Sequence, residues 1–118
     1  MNKELKKRVK SLVGCQYDGN VLILKNLKLF PNDIDTLHFI IKLSPNLTIL
    51  QLEGCYVKDD EFYRLFQALN ITDGMRKLLI RSNLLTLKTV QRLVSSSHSI
   101  LNQLDELDLR GNNIGEEG

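Results

Sequence analysis

Leucine and isoleucine recur along the chain in four short segments that align on one pattern. The segments begin at positions 19, 47, 75 and 104, so their starts are 28, 28 and 29 residues apart. The pattern reads L-x-x-L-x-L-x-x-(N/C)-x-(L/I), and its last three apolar positions hold Leu22, Leu50, Leu78 and Leu107, then Leu24, Leu52, Ile80 and Leu109, then Leu29, Val57, Leu85 and Ile114. A constant period of this length indicates an array of similar units stacked on one another.

The centre of each segment reads x-L-x-L, so its leucines point inward and the residues between them point outward, as in a short strand with one buried face. Strands from successive units can then lie side by side as a parallel sheet. The polar position of the pattern holds Cys55, Asn83 and Asn112, with Leu27 in the first segment. This position falls where the chain leaves the strand and turns. We therefore expect its side chain to satisfy backbone groups that the turn leaves unpaired.

Each segment is followed by residues at helical spacing, so each unit is predicted to be a strand, a turn and a helix. The apolar residues of the three helices are Ile34, Leu37, Ile40 and Ile41, then Phe62, Leu65, Phe66 and Leu69, then Val90, Leu93 and Val94. Pro31 suits a first helical position. Each return from helix to strand should be right-handed. Because helices are wider than strands, the array should curve with the sheet on its inner face.

The period, the strand pattern and the helical half together resemble leucine-rich repeats of the ribonuclease-inhibitor-like class, which also occurs in nucleotide-binding immune receptors and in some bacterial effectors. The resemblance covers residues 19–118. It implies an α/β fold, a curved right-handed solenoid with parallel strands on the concave face and helices on the convex face. The glycine that the class carries early in its helical half is matched by Gly118, whereas Asp33, Glu61 and Thr89 hold the earlier equivalent positions.

The chain divides into a capping segment and four units. They are residues 1–18, then 19–46, 47–74, 75–103 and an incomplete 104–118. Residues 3–13 are predicted to form a capping helix without a strand, because Leu5, Val9, Leu12 and Val13 make one apolar stripe. The alternative is a basic amphipathic helix that anchors the chain to a membrane or to nucleic acid. The stripe is narrow and lacks an aromatic residue, which favours the cap.

The last segment reads as the start of a fourth helix that does not follow, so the fourth strand should be incompletely covered. Two hypotheses account for this. The chain is the N-terminal piece of a longer protein, or its C-terminal end is covered by association. In the second case the acidic end, with Asp105, Glu106 and Asp108, could meet the basic cap of another copy head to tail.

Composition and charge favour an intracellular binding protein. The net charge of +2 is too small to predict a nucleic-acid binder. No apolar run reaches the roughly 18 residues needed to cross a bilayer, and no apolar stretch follows the basic N-terminus as in a secretory signal. Cys15 and Cys55 are the two cysteines, and we expect both to be reduced. The expected location is the cytoplasm, or a host cytosol if the protein is a bacterial effector.

Candidate catalytic residues are few and poorly arranged. His38 and His98 both fall in the helical halves, and the serines at positions 95–97 and 99 beside His98 suit a polar helix end. Cys55 occupies the polar position of the repeat, which gives it a structural role. Two cysteines forty residues apart do not form a zinc site. We therefore expect no enzymatic activity, no cofactor and no metal.

The outward strand positions form columns across neighbouring units, and these columns are the candidate partner-binding site. The column residues, with Tyr56 and Arg76 beside them, are Val21, Ile23, Ile49, Gln51, Glu53, Tyr56, Arg76, Lys77, Leu79, Arg81, Asp108 and Arg110. They are expected to give an apolar patch in the first two units and a basic band of arginine and lysine in the third and fourth. A weaker rival lies on the helix side, with Phe39, Tyr63 and Arg64.

The expected function is a non-catalytic protein–protein interaction module, an adaptor, an inhibitor or a targeting surface, that binds a protein partner through its concave strand face. One alternative is a sensor or targeting segment of a larger multidomain protein. The other is the membrane or nucleic-acid anchor described above.

Overall fold

The computed structural model describes residues 2–69, 74–95 and 100–114. These residues form helices and strands that follow one another as α1 (Lys3–Lys10), β1 (Gln16–Tyr17), β2 (Val21–Lys25), α2 (Pro31–Lys42), β3 (Ile49–Glu53), α3 (Asp59–Leu69), β4 (Lys77–Leu79), α4 (Leu87–Ser95), α5 (Ile100–Gln103) and β5 (Glu106–Asp108). The strands make one sheet in the order β1-β2-β3-β4-β5. The predicted α/β class is confirmed.

Strands β2 to β5 are parallel, and their register confirms the alignment of the repeat. Leu22 pairs with Leu50, Leu50 with Leu78, and Leu78 with Leu107. Strand β1 runs antiparallel to β2, with Gln16 opposite Ile23, so the sheet is mixed. The prediction of a cap without a strand is therefore wrong. Two residues are too few to show an alternating pattern, yet they cover the edge of β2 that would otherwise be exposed.

The helices and the inward side chains of the strands share one core. Helices α2 and α3 contact each other, α1 contacts α2, and α4 contacts α3. The core is confirmed for the predicted residues of α2 and α3 and for most inward strand positions, all of them buried: Leu22, Leu24, Ile34, Leu37, Ile40, Ile41, Leu50, Leu52, Phe62, Leu65, Phe66, Leu69, Leu78 and Ile80. Burial of this apolar surface is the main force that holds each unit to its neighbours.

Two predicted core residues, Val13 and Val94, are exposed instead. Helix α1 ends at Lys10, where the Ser11 hydroxyl donates to the Arg8 carbonyl. The chain therefore turns before Val13, while Leu12 still reaches the core. In α4 the buried positions are Thr89 and Leu93, one turn apart, so that Val94 lies on the outer side.

The polar position of the repeat forms a ladder of hydrogen bonds between successive units. The Asn83 side-chain oxygen accepts from the backbone N–H groups of Cys55 at 2.9 Å and Val57 at 3.1 Å, and its amide donates to the carbonyls of Leu52 and Arg81. One unit later, the Asn112 side-chain oxygen accepts from the backbone N–H groups of Asn83 and Leu85, and its amide donates to the carbonyls of Ile80 and Leu109. The Cys55 thiol donates to the Leu24 carbonyl. The predicted role of this position is confirmed.

In each unit, one residue just after the strand has a φ in the left-handed region. The residues are Asn26, Gly54, Ser82 and Gly111, with φ of 54°, 65°, 55° and 81°. A Cβ at Gly54 would lie 2.8 Å from Asn26 Oδ1, and one at Gly111 would lie 2.7 Å from Ser82 Oγ. Asn26 and Ser82 show that the conformation alone does not require glycine, although glycine adopts it most easily. The close approach favours glycine as well, most strongly at Gly111, where the Ser82 backbone N and Cα would lie 3.0 and 3.1 Å from the Cβ.

The fourth strand is incompletely covered, as the sequence predicted. Leu22, Leu50 and Leu78 are 0% exposed, whereas the equivalent Leu107 is 41% exposed. Residues 115–118, expected to be the start of a fourth helix, lie outside the described residues.

Candidate protein-interaction surface

The outward side of the sheet, here called the strand face, carries the predicted columns. The registers place Val21, Ile49, Lys77 and Glu106 in one row across the sheet, and Ile23, Gln51, Leu79 and Asp108 in the next. Lys25 lies opposite Glu53, and the backbone bond from Gly54 to the Arg81 carbonyl extends that row past the end of β4. The predicted side chains are therefore brought together, with two exceptions described below.

Val21, Ile23, Ile49 and Leu79 form the apolar patch of the strand face. All four are half-buried. Val21 and Ile49 are direct cross-strand partners, and Gln51, which is nearly buried, lies between Ile23 and Leu79. The patch thus spans three neighbouring strands.

The predicted basic band is wrong, because its charges are neutralised within the strand face. Arg81 lies between two carboxylates, 3.7 Å from Glu53 and 3.6 Å from Asp108. Arg110 lies 2.8 Å from Asp108, and Lys77 lies 4.0 Å from Glu106. Opposite charges thus face each other across adjacent strands, a pairing that leaves no continuous positive surface.

Asp108 is the centre of this ion-pair network. Its side chain is buried, and the Arg110 guanidinium and backbone N–H donate to it at distances of 2.8 to 3.0 Å. These bonds, the one from the guanidinium first, lower the pKa of Asp108 to about 2. The carboxylate is therefore charged throughout the neutral range and holds both arginines in place.

Arg76 and Tyr56 lie beside the rows of the strand face rather than within them. The Arg76 guanidinium donates to the carbonyl of Gln103 in α5, at 3.3 Å. Tyr56 lies on the loop after β3, beside Phe30 and Lys28 of the preceding unit. The Lys28 ammonium is 5.4 Å from the centre of the Phe30 ring and 5.6 Å from that of Tyr56, both within cation–π range.

Lys28, Phe30, Tyr56 and Leu84 make up what we call the rim cluster, at the end of the sheet where the strands terminate. Phe30, Tyr56 and Leu84 are 57%, 53% and 46% exposed. All four line a cavity of about 330 Å³. Lys28, Phe30 and Leu84 lie outside the strand columns and were not predicted. Lys28, Tyr56 and Leu84 occupy one position of the repeat, between the ladder residue and the last apolar residue, and that spacing could have identified them.

Tyr56 has a strained backbone, with φ of 60°. A bulky residue in this region is an outlier that costs roughly 1–3 kcal/mol. The equivalent residues Lys28, Leu84 and Asn113 have no positive φ. The strain is therefore a local feature of the second unit rather than a requirement of the repeat.

The rival surface on the helix side is occupied by its own basic residues. The Arg8 guanidinium lies 4.5 Å from the centre of the Phe39 ring, and that of Arg92 lies 5.0 Å from the centre of the Tyr63 ring. Arg64 is paired with Asp35. A partner would have to displace these contacts.

The titratable side chains that could perform catalysis are not activated. Burial raises the pKa of the Cys15 thiol to about 11 and also raises that of Cys55, so both thiols are protonated near neutral pH and are weak nucleophiles. Burial, then the nearby Arg64 and Lys42, lowers the pKa of His38. His98 lies outside the described residues.

The described residues contain no group of three or more histidine, cysteine or carboxylate side chains that could hold a metal. Among the helices of the described chain, none has the length and apolarity that a membrane crossing demands.

No protein-family model matches this sequence, and no curated protein matches it either. A solved structure with a similar fold is the C-terminal domain of tropomodulin from Caenorhabditis elegans. The two structures superpose with a TM-score of 0.65 at 18% sequence identity, over 93% of this chain and 66% of that domain. The chain thus spans just under two thirds of the domain that it resembles. At this identity the likeness concerns the fold alone.

The predicted membership of the ribonuclease-inhibitor-like class is wrong, since the structural neighbour is a tropomodulin domain. Asp33, Glu61 and Thr89 stand where that class carries a glycine, and the structure shows what their side chains do there. Asp33 and Glu61 accept hydrogen bonds from the backbone N–H groups just before α2 and α3, at 2.8 and 3.0 Å, and the Thr89 hydroxyl donates to Asp59. These helix starts are closed by side chains rather than by glycine turns. The chain has an α/β fold like that of leucine-rich repeats, with a mixed sheet of five strands among the described residues.

Proposed function

We propose that this protein is a non-catalytic protein–protein interaction module, an adaptor, an inhibitor or a targeting surface. It binds a protein partner through the strand face, which is the concave side of a curved, right-handed solenoid. The partner contacts are the residues of the sequence-based site that lie on the strand face, with the apolar patch at their centre and with Arg76 and Tyr56 beside the face. The protein works without a cofactor, in the cytoplasm or in a host cytosol.

The observation that carries the proposal is the apolar patch flanked by charges that already pair with one another. Aliphatic side chains at outward positions remain partly exposed to water, and covering them yields roughly 25 cal/mol per Å² of apolar surface. The neighbouring Arg81 and Lys77 are engaged with carboxylates of the same face. A partner can therefore cover the patch without leaving a buried charge unpaired, which is otherwise costly.

Substitution of the patch tests the proposal. The double variant Ile23→Asp with Ile49→Asp should keep the fold, because both side chains point outward and each substitution costs about 1 kcal/mol or less. It should abolish capture of partner proteins from a cell lysate. The matched control is Asn32→Asp with Gln67→Asp, which adds the same charge at exposed helix positions and should leave capture unchanged. Equal capture by all three proteins would place the binding site elsewhere.

The anchoring alternative is less well supported, because the apolar stripe of α1 is already used. Leu5 and Leu12 are buried in the core, and Val9 packs against it. The lysines of α1 remain exposed, but no apolar face is left on the helix to enter a bilayer.

A second candidate is head-to-tail self-association, favoured by the exposure of Leu107 at the edge strand β5. Asp105 and Glu106 are exposed at that end, and the lysines of α1 are exposed at the other. Association driven by these charges should give larger species at low salt than at high salt. Light scattering after size exclusion measures this, with the charge reversal Asp105→Lys as the variant that should remain monomeric. A monomer under both conditions rules out the charge-driven association.

A further inference from the structure

We infer that the rim cluster binds an acidic peptide segment of the partner, with one aromatic or aliphatic side chain of that segment held in the cavity between Phe30, Tyr56 and Leu84. The inference rests on the proposed function, because it describes the chemistry of one part of the partner. It adds a second contact area at the end of the strands, next to the strand face.

The apolar side chains of the rim cluster are arranged as a binding site. Isolated exposed apolar residues are ordinary on a protein surface. Here three large ones, from three consecutive units, line the same cavity of about 330 Å³. This volume lies at the low end of the range for ligand sites, so it suits one anchoring side chain rather than a cofactor. Interfaces commonly concentrate their binding energy on such an anchor.

The charge around the cavity specifies the partner. Lys25, Lys28 and Lys58 are exposed along this end of the sheet, and among the ion pairs of the described residues none includes them. By contrast, Lys77, Arg81 and Lys88 each have a carboxylate partner.

The nearby carboxylates offset part of this charge. Glu53, which lies opposite Lys25, accepts from Gln51 and pairs with Arg81. Glu61 accepts from the backbone N–H of Lys58. That backbone bond leaves the charge of Glu61 in place, so the cavity lining holds Lys28 and Lys58 against one carboxylate. With Lys25 at the same end of the sheet, the remaining excess of positive charge is one that an acidic segment would neutralise.

The strain at Tyr56 supports a binding role for its side chain. The φ of this residue is unfavourable, and burial of its side chain does not compensate for the cost, since more than half of its surface is exposed. Glycine or asparagine would adopt this conformation more easily. Tyrosine at this position therefore costs stability and gains no core packing, which is typical of residues retained for recognition.

A single-stranded nucleic acid is the competing ligand, because lysines beside aromatic rings can also bind bases and phosphates. The geometry favours a peptide. Lys28 lies within cation–π distance of both aromatic rings, so stacking of a base would have to displace it.

The test is selection from a random dodecapeptide display library on the intact chain, followed by affinity measurements with the most enriched peptide. The selected pool should be rich in aspartate and glutamate around one aromatic or aliphatic residue. Charge reversal of Lys25, Lys28 and Lys58 to glutamate should weaken binding of that peptide by about a hundredfold or more. Reversal of Lys3, Lys6 and Lys7 on α1, which changes the net charge equally, should leave it unchanged.

Tyr56 provides a variant whose stability and binding should move in different directions. Tyr56→Gly relieves the backbone strain, so its unfolding midpoint should be equal to or above that of the parent, while peptide affinity falls about tenfold. Tyr56→Phe should retain most of the affinity. Loss of stability together with loss of binding would instead indicate a structural residue and would contradict the proposal.

Three results would overturn the inference. They are a selected pool without acidic bias, affinity unaffected by reversal of the three rim lysines, and tighter binding of oligo-deoxythymidine than of the selected peptide. The outcome is separable from the proposed function. If capture depends on Ile23 and Ile49 but the library yields no acidic peptides, only the rim assignment fails.

Discussion

The two ends of the parallel sheet differ in how well they cover the outermost leucine of the repeat pattern, Leu22 at one end and Leu107 at the other. At the N-terminal end, β1 pairs with β2, α1 contacts α2, and Leu22 is fully buried. At the C-terminal end, β5 is an edge strand and Leu107 is 41% exposed. The same pattern residue thus has opposite environments at the two ends.

This difference shows what a cap must supply. The cap contributes buried side chains from α1 and the turn after it, a strand along the edge of β2, and a hydrogen bond between the Tyr17 hydroxyl and the buried Ser44. Repeat units are stabilised mainly by their neighbours, and among the described residues Leu107 is less covered than its equivalents in the other strands. We expect the described C-terminal end to open first.

The strongest test of this comparison is to truncate one leucine at each end. Leu12 is buried in the cap, so Leu12→Ala should lower the free energy of unfolding by about 2–5 kcal/mol. Leu107→Ala should cost less than about 1 kcal/mol, since much of its surface already contacts water. Urea unfolding followed by circular dichroism measures both. Equal losses would mean that Leu107 is covered in solution.

The ladder allows a finer comparison. Asn83→Ala leaves the backbone N–H groups of Cys55 and Val57 without their acceptor at a buried position, and should cost about 1–3 kcal/mol. Asn112→Ala removes the same bonds from Asn83 and Leu85, but Asn112 is only half-buried and water can replace part of them. We expect a smaller loss, measured in the same urea experiment. A larger loss for Asn112 would contradict the view that the C-terminal end is looser.

The smallest expected effect is on the pH dependence of the free energy of unfolding. The pKa of Asp108 in the folded protein, about 2, lies below its ordinary value of 3.8, so the native state binds fewer protons than the unfolded state. Its stabilising contribution is therefore complete above about pH 4 and is lost as the pH falls towards 2. Asp108→Asn should flatten the dependence of unfolding free energy on pH in this window.

Asp18 in the cap offers the matching control. Backbone N–H groups of Asn20 and then Val21 lower its pKa as well. Asp18→Asn should flatten the same curve to a smaller extent, since the shift at Asp108 is the larger one. A pH dependence unchanged by Asp108→Asn would show that its ion pairs do not form in solution.

The repeat period was sufficient to predict the register of the parallel strands. Leu22, Leu50, Leu78 and Leu107 align in the sheet as they align in the sequence, because a one-residue slip would turn every apolar side chain to the wrong face. The ladder followed from the same alignment. Strand β1 was not predictable in this way, because its two residues pair with β2 through the backbone and leave no apolar pattern.

The candidate site was predicted less completely than the fold. The strand columns followed from the period, but the ion pairs of Arg81 required the distances between adjacent strands. The basic band was wrong because the sequence shows which charges share the face but not which of them pair. Lys77 and Arg81 pair with carboxylates of adjacent units, and Arg110 pairs with Asp108 of its own unit. The rim cluster was not predicted because exposed loop positions have no burial constraint. Lys28, Tyr56 and Leu84 share one position of the repeat, but no common side-chain type marks that position.

The left-handed positions at the strand ends limit how the units could be rearranged. Asn26 and Ser82 alternate with Gly54 and Gly111, and each glycine lies directly against the side chain of the unit before it. Removing the second unit alone would place Ser82 beside Asn26, where two side chains would compete for a space that holds one. Removing the second and third units together would set Gly111 beside Asn26 and restore the fit. Shortening or extending the array by pairs of units is therefore compatible with its packing, whereas a change of one unit requires a compensating glycine.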